Sequence, residues 1–361
     1  MKTLDRYISI SFLKNLFLTL LFLMAIFFAQ SILGELLERE FPSMQILFYN
    51  SLKLPQIMAQ MLPPAILMTT VITLASFNRT SELIAFYSLG IGLMRICMVI
   101  LTLVIMICCL GLILQDRVLP YFYKKRTTYY WRDMKKKTDF FFDVKQDKIW
   151  YRSQNFIYNL KSYDSKTNTI YGMSVYTFDR QFRLVEVIET QKAFYSQKGW
   201  RFVNGTITIF QKDNPFPLTQ FFSEKDLLIS QTPKDFQEIE KEVDGLRLKD
   251  FYRYIKKVKN TGADTKTYEV RFQSRISLCF ISLVMCILGI PFSISKTRGG
   301  GVARDFGLCL IFTFFYWLFY SVGLSLGTNG TLLPWVGAWL PSAIFLALAL
   351  MLLVRKKLFL S

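Results

Sequence analysis

Residues Ile96–Leu114, ICMVILTLVIMICCLGLIL, run for 19 positions without one charged side chain. As an α-helix this stretch covers about 28 Å, close to the ~30 Å hydrocarbon core of a bilayer. Five more apolar runs of similar length lie outward from it: Leu16–Leu33, Ile57–Phe77, Ile276–Ile294, Phe306–Leu326 and Leu332–Val354. The first contains a loose cleavage-like triplet, Ala29-Gln30-Ser31, but it exceeds the roughly 7–15 apolar residues of a secretory signal and is read as a retained span. Composition agrees. Of 361 residues 52% are hydrophobic and only 19% charged, against about 25% charged in soluble domains. The chain is therefore read as a membrane α-helical protein with six transmembrane helices.

What the sequence lacks narrows its chemistry. It contains no histidine, which excludes Ser-His-Asp and Cys-His catalysis and the HExxH zinc site. The six cysteines, Cys97, Cys108, Cys109, Cys279, Cys286 and Cys309, all fall inside apolar runs with no CxxC spacing, and are read as small hydrophobes. Lys296-Thr297-Arg298-Gly299-Gly300-Gly301 has the glycines of a phosphate loop but neither a preceding strand nor a Gly-Lys-Ser/Thr ending, and is read as a turn. No enzyme activity, cofactor or metal is expected. ATP hydrolysis, if the protein does energised work, belongs on another chain. The spans carry almost no charge; Gln30, Asp116 and Arg117 alone approach membrane depth, which disfavours an ion-coupled carrier. Spans this apolar and rich in Phe suit an amphiphile that keeps its tails among hydrocarbon.

Short-loop cations set the orientation. Eleven Lys and Arg residues, from Lys2, Arg6 and Lys14 through Arg79, Arg95, Lys296, Arg298 and Arg304 to Arg355–Lys357, fall on one side; the other side's short loops hold Arg39 and Lys53. Both termini are expected in the cytoplasm. The segment between spans three and four is then outside it, although its first part, Lys124–Lys137, is itself basic. The membrane is an expected partner, and no nucleic-acid partner is expected.

From Phe140 to Phe222 the pattern changes to short runs rich in β-branched and aromatic residues: Ile149–Tyr151, Phe156–Leu160, Thr169–Phe178, Leu184–Thr190, Trp200–Val203 and Thr206–Phe210. Turn-forming clusters separate them, and period-two alternation is visible in Leu184, Glu186 and Ile188 and in Ile207 and Ile209. This predicts an inserted all-β, jelly-roll-like domain between helices 3 and 4. Leu248–Lys259 follows as an amphipathic helix with a basic face, either solvated or resting on anionic headgroups. The expected organisation is spans one to three over 1–117, a β domain over 118–247, a connecting helix and linker over 248–272, and spans four to six over 273–361.

The loop between spans two and three is unusually apolar. Thr80 or Ser81 can cap a helix with Glu82 in its first turn, and Leu83, Ile84, Phe86, Tyr87 and Leu89 follow. Two readings stand: an interfacial helix lying on lipid, or a coupling helix whose apolar residues enter a groove on a cytoplasmic partner.

Several motifs in order resemble the LptF/LptG permease family, more closely LptG: Leu4-Asp5-Arg6-Tyr7-Ile8, the Leu62-Pro63 span, Ser81-Glu82-Leu83 with Ser88 and Gly90, and Phe251-Tyr252-x-Tyr254-Ile255 with Lys259, Gly262 and Tyr268. The resemblance covers the whole chain. It implies a permease subunit that pairs with a second LptF/LptG-type permease and binds a dimer of the cytoplasmic ATPase LptB. It implies extraction of lipopolysaccharide from the inner membrane of a Gram-negative bacterium, through the periplasmic β domain, to the bridge proteins LptC and LptA. Residues Arg79, Ser81, Glu82, Leu83, Ile84, Phe86 and Gly90 would then couple to the ATPase. Trp150, Phe178, Trp200, Phe202, Ile207 and Ile209 would hold acyl chains, and Gln30, Arg39 and Lys53 would face the headgroup. One departure is plain: where known LptG proteins carry lysines after the first span, Gly34–Glu40 holds three acids and only Arg39 as a base. Arg39 and Lys53 substitute, or the lipid carries less phosphate, or the partner supplies the positive charge. Two other readings are a subunit for another amphiphile, such as lipoproteins, and a membrane sensor with a ligand-binding β domain.

Overall fold

Lys2–Glu38 form α1 in the computed structural model, followed by α2 (Ser43–Ser51), α3 (Leu54–Arg79), α4 (Glu82–Ser88) and α5 (Leu93–Ile113). The structure describes residues 2–38, 41–134, 141–145, 148–153, 156–164, 167–179, 181, 183–196, 199–210, 216–227, 245–260, 264–293 and 302–355. Arg39, the glycine-rich turn at 296–301 and the cations at 356–357 lie outside these. A π-helical turn (Leu114–Val118), α6 (Leu119–Tyr129) and a second π turn (Tyr130–Met134) follow α5, so the basic, aromatic residues 119–134, grouped with the β insert from sequence, are helical. After the insert come α7 (Leu248–Asn260), α8 (Lys266–Ser293), α9 (Val302–Thr328) and α10 (Pro334–Arg355). The chain divides into two compact units, one of 1–122 with 266–361 and one of 123–265.

Among the described residues six helices are long and apolar enough to cross a membrane. Helices α3 and α8 are central: 72% and 67% of their most apolar stretches are buried, against 11%, 22% and 17% for α1, α5 and α9, whose outer faces are free for lipid or a partner. Since lipid tails solvate apolar side chains well, close packing and hydrogen bonds have to hold such helices together. Asn15 donates to the Thr73 hydroxyl at 2.9 Å and the Thr19 and Thr69 hydroxyls meet at 2.7 Å, joining α1 to α3. The Ser277 hydroxyl donates to the Ala338 carbonyl at 2.8 Å, joining α8 to α10. Helices α9 and α10 cross on bare backbone: a Cβ at Gly323 would lie 2.5 Å from the Gly337 carbonyl oxygen, and one at Gly337 would lie 2.6 Å from that of Gly323. Pro63 and Pro64 are buried within an uninterrupted α3.

The second unit is built on one antiparallel sheet of seven strands in sequential order. They are β1 (Phe141–Lys145), β2 (Lys148–Ser153), β3 (Phe156–Asp164), β4 (Thr169–Phe178), β5 (Leu184–Ser196), β6 (Gly199–Ile209) and β7 (Leu218–Leu227). The all-β insert expected from sequence is thus present, as a meander in which each strand pairs with its chain neighbour. Trp200–Val203 and Thr206–Phe210, read as two strands, belong to one continuous β6.

A single row of residues crosses the sheet without ladder pairing: Lys161, Gly172, Gln191, Asn204 and Ser223, on β3 to β7 in turn. Register is the same on either side of it. Gly172 and Asn204 adopt left-handed φ of 60° and 52°, a conformation Gly and Asn tolerate better than other residues. At this row the inward-facing phase slips by one residue. On β4, Met173 and Val175 are buried on one side of it and Ile170 on the other; on β6 the corresponding residues are Ile207, then Phe202 and Trp200. A stacked row of unpaired positions of this kind keeps one face apolar through a change of phase that strict alternation would turn inside out.

Candidate functional site

The α4 segment is a seven-residue helix with two different faces. Its start is set by Ser81, in the left-handed region at φ 61°, and its end by Gly90 at φ 73°. Neither Thr80 nor Ser81 caps it through a side chain, contrary to expectation. Ser81 has the wrong backbone angles for a serine cap, and the Thr80 hydroxyl donates instead to the Glu82 carboxylate at 2.7 Å. The other Glu82 oxygen accepts from the Tyr7 hydroxyl at 3.0 Å, which ties α4 to the first turns of α1. Phe77, in the last turns of α3, stacks on Tyr7 at 5.9 Å and meets Phe86 edge-on at 6.0 Å. Leu83 and Phe86 are buried in the membrane-unit core, whereas Ile84, Tyr87 and Leu89 are 61%, 47% and 73% exposed. Arg79 is exposed in the last turn of α3. Nearby, Arg95 at the start of α5 pairs with Asp5 of α1 at 2.8 Å. The inner side of α4 is therefore held against α1 and α3, and its outer side is an apolar patch with no described cover.

A polar cluster occupies the other end of α1. Lys53 forms an ion pair with Glu35, lies 3.3 Å from the Ser31 hydroxyl and sits over the Tyr49 ring at 4.8 Å. Asn50, fully buried, donates to Glu35 at 2.7 Å and accepts from Ser31 at 2.6 Å. One acid of the 34–40 stretch thus neutralises the nearby lysine within the chain. Gln30 is exposed on α1 and is not part of this cluster.

In the insert, Trp200 and Phe202 are fully buried on β6 and Ile207 is nearly so, in one cluster with Tyr158, Leu160, Ile170, Met173 and Ile188. Phe178 is half-buried at the end of β4, and Ile209, at 36% exposure, is at the rim of the sheet rather than in its interior. Trp150 lies on β2 opposite Asn159, but its side chain is outside the described part. Outside the cluster, Arg201 pairs with Asp226 across β6 and β7 at 2.9 Å, and that hydrogen bond raises the guanidinium pKa further.

Sequence reasoning singled out Glu82 and Lys53 but missed the partners that hold them. Tyr7 and Ser31 occur in stretches with no local signal of a contact 75 or 22 residues away. Through Glu82 and Phe86 the α4 segment joins α1 to α3, and the inward face of the insert is apolar.

Comparison with known proteins places this geometry. The family model described as "Lipopolysaccharide export system permease LptF/LptG" matches residues 6–355. Among curated relatives, the "Lipopolysaccharide export system permease protein LptG" of Haemophilus influenzae is 25% identical over 374 residues, covering 98% of this chain and 99% of its own. The protein of the same name from Escherichia coli K12 is 22% identical over 360 residues, covering 98% of each chain. With six apolar helices, an antiparallel insert between the third and fourth, and a match along nearly its whole length, this chain belongs to the LptF/LptG family of lipopolysaccharide export permeases.

Proposed function

We propose that this multi-pass chain is the LptG-type subunit of an ATP-driven exporter in the bacterial inner membrane, which lifts lipopolysaccharide out of the bilayer and passes it along the periplasmic β insert. The observation that carries the reading is the match over residues 6–355, which takes in the spans and the insert together. Charge supports the orientation: the cations of the short loops put both termini in the cytoplasm and the insert in the periplasm. On this reading the exposed Ile84, Tyr87 and Leu89 of α4 enter a groove on a cytoplasmic ATPase dimer of the LptB kind. Glu82, held by Tyr7 and Thr80, passes the ATPase's closure to α1. A second permease of the family covers the exposed faces of α1 and α9 and completes a cavity for the lipid. The headgroup meets Gln30, Arg39 and Lys53; acyl chains travel along the face that holds Trp200, Phe202 and Ile207. LptC and LptA take the lipid onward.

The test is a mild-detergent affinity purification from native membranes, with mass spectrometry of proteins and lipid. An ATPase, a second six-span permease and lipid A together are the expected result. A chain that purifies alone, with no ATPase, overturns it. In the same assay Glu82→Lys weakens ATPase recovery; unchanged recovery with normal export refutes the role given to Glu82.

A further inference from the structure

A groove of about 620 Å³ crosses β4 to β7, and its lining consists of three consecutive cross-strand rows. One is the unpaired row at Lys161, Gly172, Gln191, Asn204 and Ser223. Two residues further along the same face is the row Ser174, Glu189, Thr206 and Phe221, and the residues between the two form the floor. None of Val175, Ile188 or Ile207, the next inward residues, lines it. The groove therefore opens on the face opposite the apolar cluster, along the unpaired row.

The lining has a definite chemistry. Lys161 and Glu189 offer one charge of each sign, Gln191 and Asn204 offer planar amides, and Ser174, Thr206 and Ser223 offer hydroxyls. The charged and amide side chains have no protein hydrogen-bond partner among the described residues, so their donors and acceptors are open to a ligand. Beside them Phe221, 86% exposed, offers an open aromatic face on which a ring can stack. The same ladder row continues on β3 at Asn159, whose amide is fully buried and unpartnered. A phosphate would call for surplus cations, which the groove lacks, and an acyl chain would leave the amides and charges on Lys161, Glu189, Gln191 and Asn204 without partners. It also runs across the strands, so a bound peptide could not extend the sheet. A neutral polyhydroxylated ligand fits, with ring faces on Phe221 and hydroxyls on the amides and carboxylate. Three strand spacings give about 14 Å of length, room for two or three sugar rings.

We propose that this groove is a saccharide-binding cleft, taking the sugar portion of a glycolipid while its acyl chains lie elsewhere. The glycolipid source rests on the export reading and extends it, since that reading assigns only the apolar face of the insert. It is tested with the full chain in nanodiscs by saturation-transfer NMR, using core oligosaccharide released from lipopolysaccharide by mild acid, with dextran as a second probe. Saturable transfer to the oligosaccharide is expected, weakened at least fivefold by Phe221→Ala and by Gln191→Ala. Both residues lie outside the apolar cluster, and unchanged limited proteolysis of the insert checks folding. No transfer to either probe overturns the proposal, as does transfer that both substitutions leave unchanged. Dextran binding as tightly as the oligosaccharide keeps the saccharide chemistry and overturns its source in a glycolipid. If neither sugar binds while lipopolysaccharide still co-purifies with the chain, the groove assignment falls and the export reading stands.

Discussion

The two faces of α4 make a prediction in which folding and partner binding separate within one short helix. Leu83, 3% exposed, belongs to the core, and Leu83→Ala should cost about 2–5 kcal/mol of stability, as buried Leu truncations do. Phe86→Ala should cost about 3–5 kcal/mol, part of it from the lost edge-on contact with Phe77. One residue away, Ile84 is 61% exposed and Leu89 73%, so Ile84→Ser with Leu89→Ser should change stability by less than about 1 kcal/mol in total. If a partner buries those two side chains, the double substitution forfeits about 2–4 kcal/mol of binding, scaling roughly 1.5–3 kcal/mol per fully buried residue by the exposed fractions. That corresponds to an affinity loss on the order of 30- to 1,000-fold. Thermal unfolding in detergent reads the first effect, and titration of the co-expressed ATPase onto the immobilised permease reads the second. The reasoning is refuted if the double serine variant binds the ATPase normally. It is refuted equally if that variant unfolds as early as Leu83→Ala, because the outer face would then be supporting the fold.

Other contacts carry predictions of the same kind. Gly323→Ala places a methyl group against the Gly337 carbonyl and should lower stability by about 1–3 kcal/mol; Gly307→Ala, on the same helix with nothing within 4 Å of a new Cβ, should be neutral, and detergent melting curves compare the two. Lys53→Met leaves Glu35 and Asn50 with an uncompensated carboxylate, so adding Glu35→Gln should recover part of the loss; a double-mutant cycle should give a coupling of about 0.5–3 kcal/mol. Trp200→Ala empties the largest fully buried side chain of the insert and should cost about 3–5 kcal/mol, read as faster limited proteolysis within 141–227 and unaltered melting of the membrane helices.

The membrane half of the fold was legible because its signal is long and one-dimensional. An apolar run of 19 residues declares a span whatever its neighbours do, and each of the six runs falls on its own helix. Local chemistry was equally readable around α4, where exposed apolar residues sit in a loop that a solvated connection would not carry. What connects distant residues was not readable. The Glu82 carboxylate could be singled out, but nothing near Tyr7 marks it as the donor, since hydrogen bonds over 75 residues leave no periodicity.

The β insert shows the other limit, and a specific cause. Asn204-Gly205 between two apolar runs has the composition of a turn, and reading it so divides β6 in two. In the sheet the same dipeptide serves a bend: Asn204 takes the left-handed angle, and the bare Gly205 lies under the Phe222 ring, which a Cβ would approach to 2.4 Å. Turn-forming residues mark a change of backbone direction, but whether the strand ends there or bends and continues depends on its neighbours. Here Lys161, Gln191 and Ser223 give no such mark, yet they leave the ladder in the same row as Gly172 and Asn204. The slip in phase that follows lets Trp200 and Phe202 share a buried face with Ile207, although their spacing along β6 breaks alternation. A strand-by-strand reading with unbroken period two would place either Ile207 or the pair on the wet side. Burial of all three therefore requires the change of phase, and the groove opens along the same row on the opposite face.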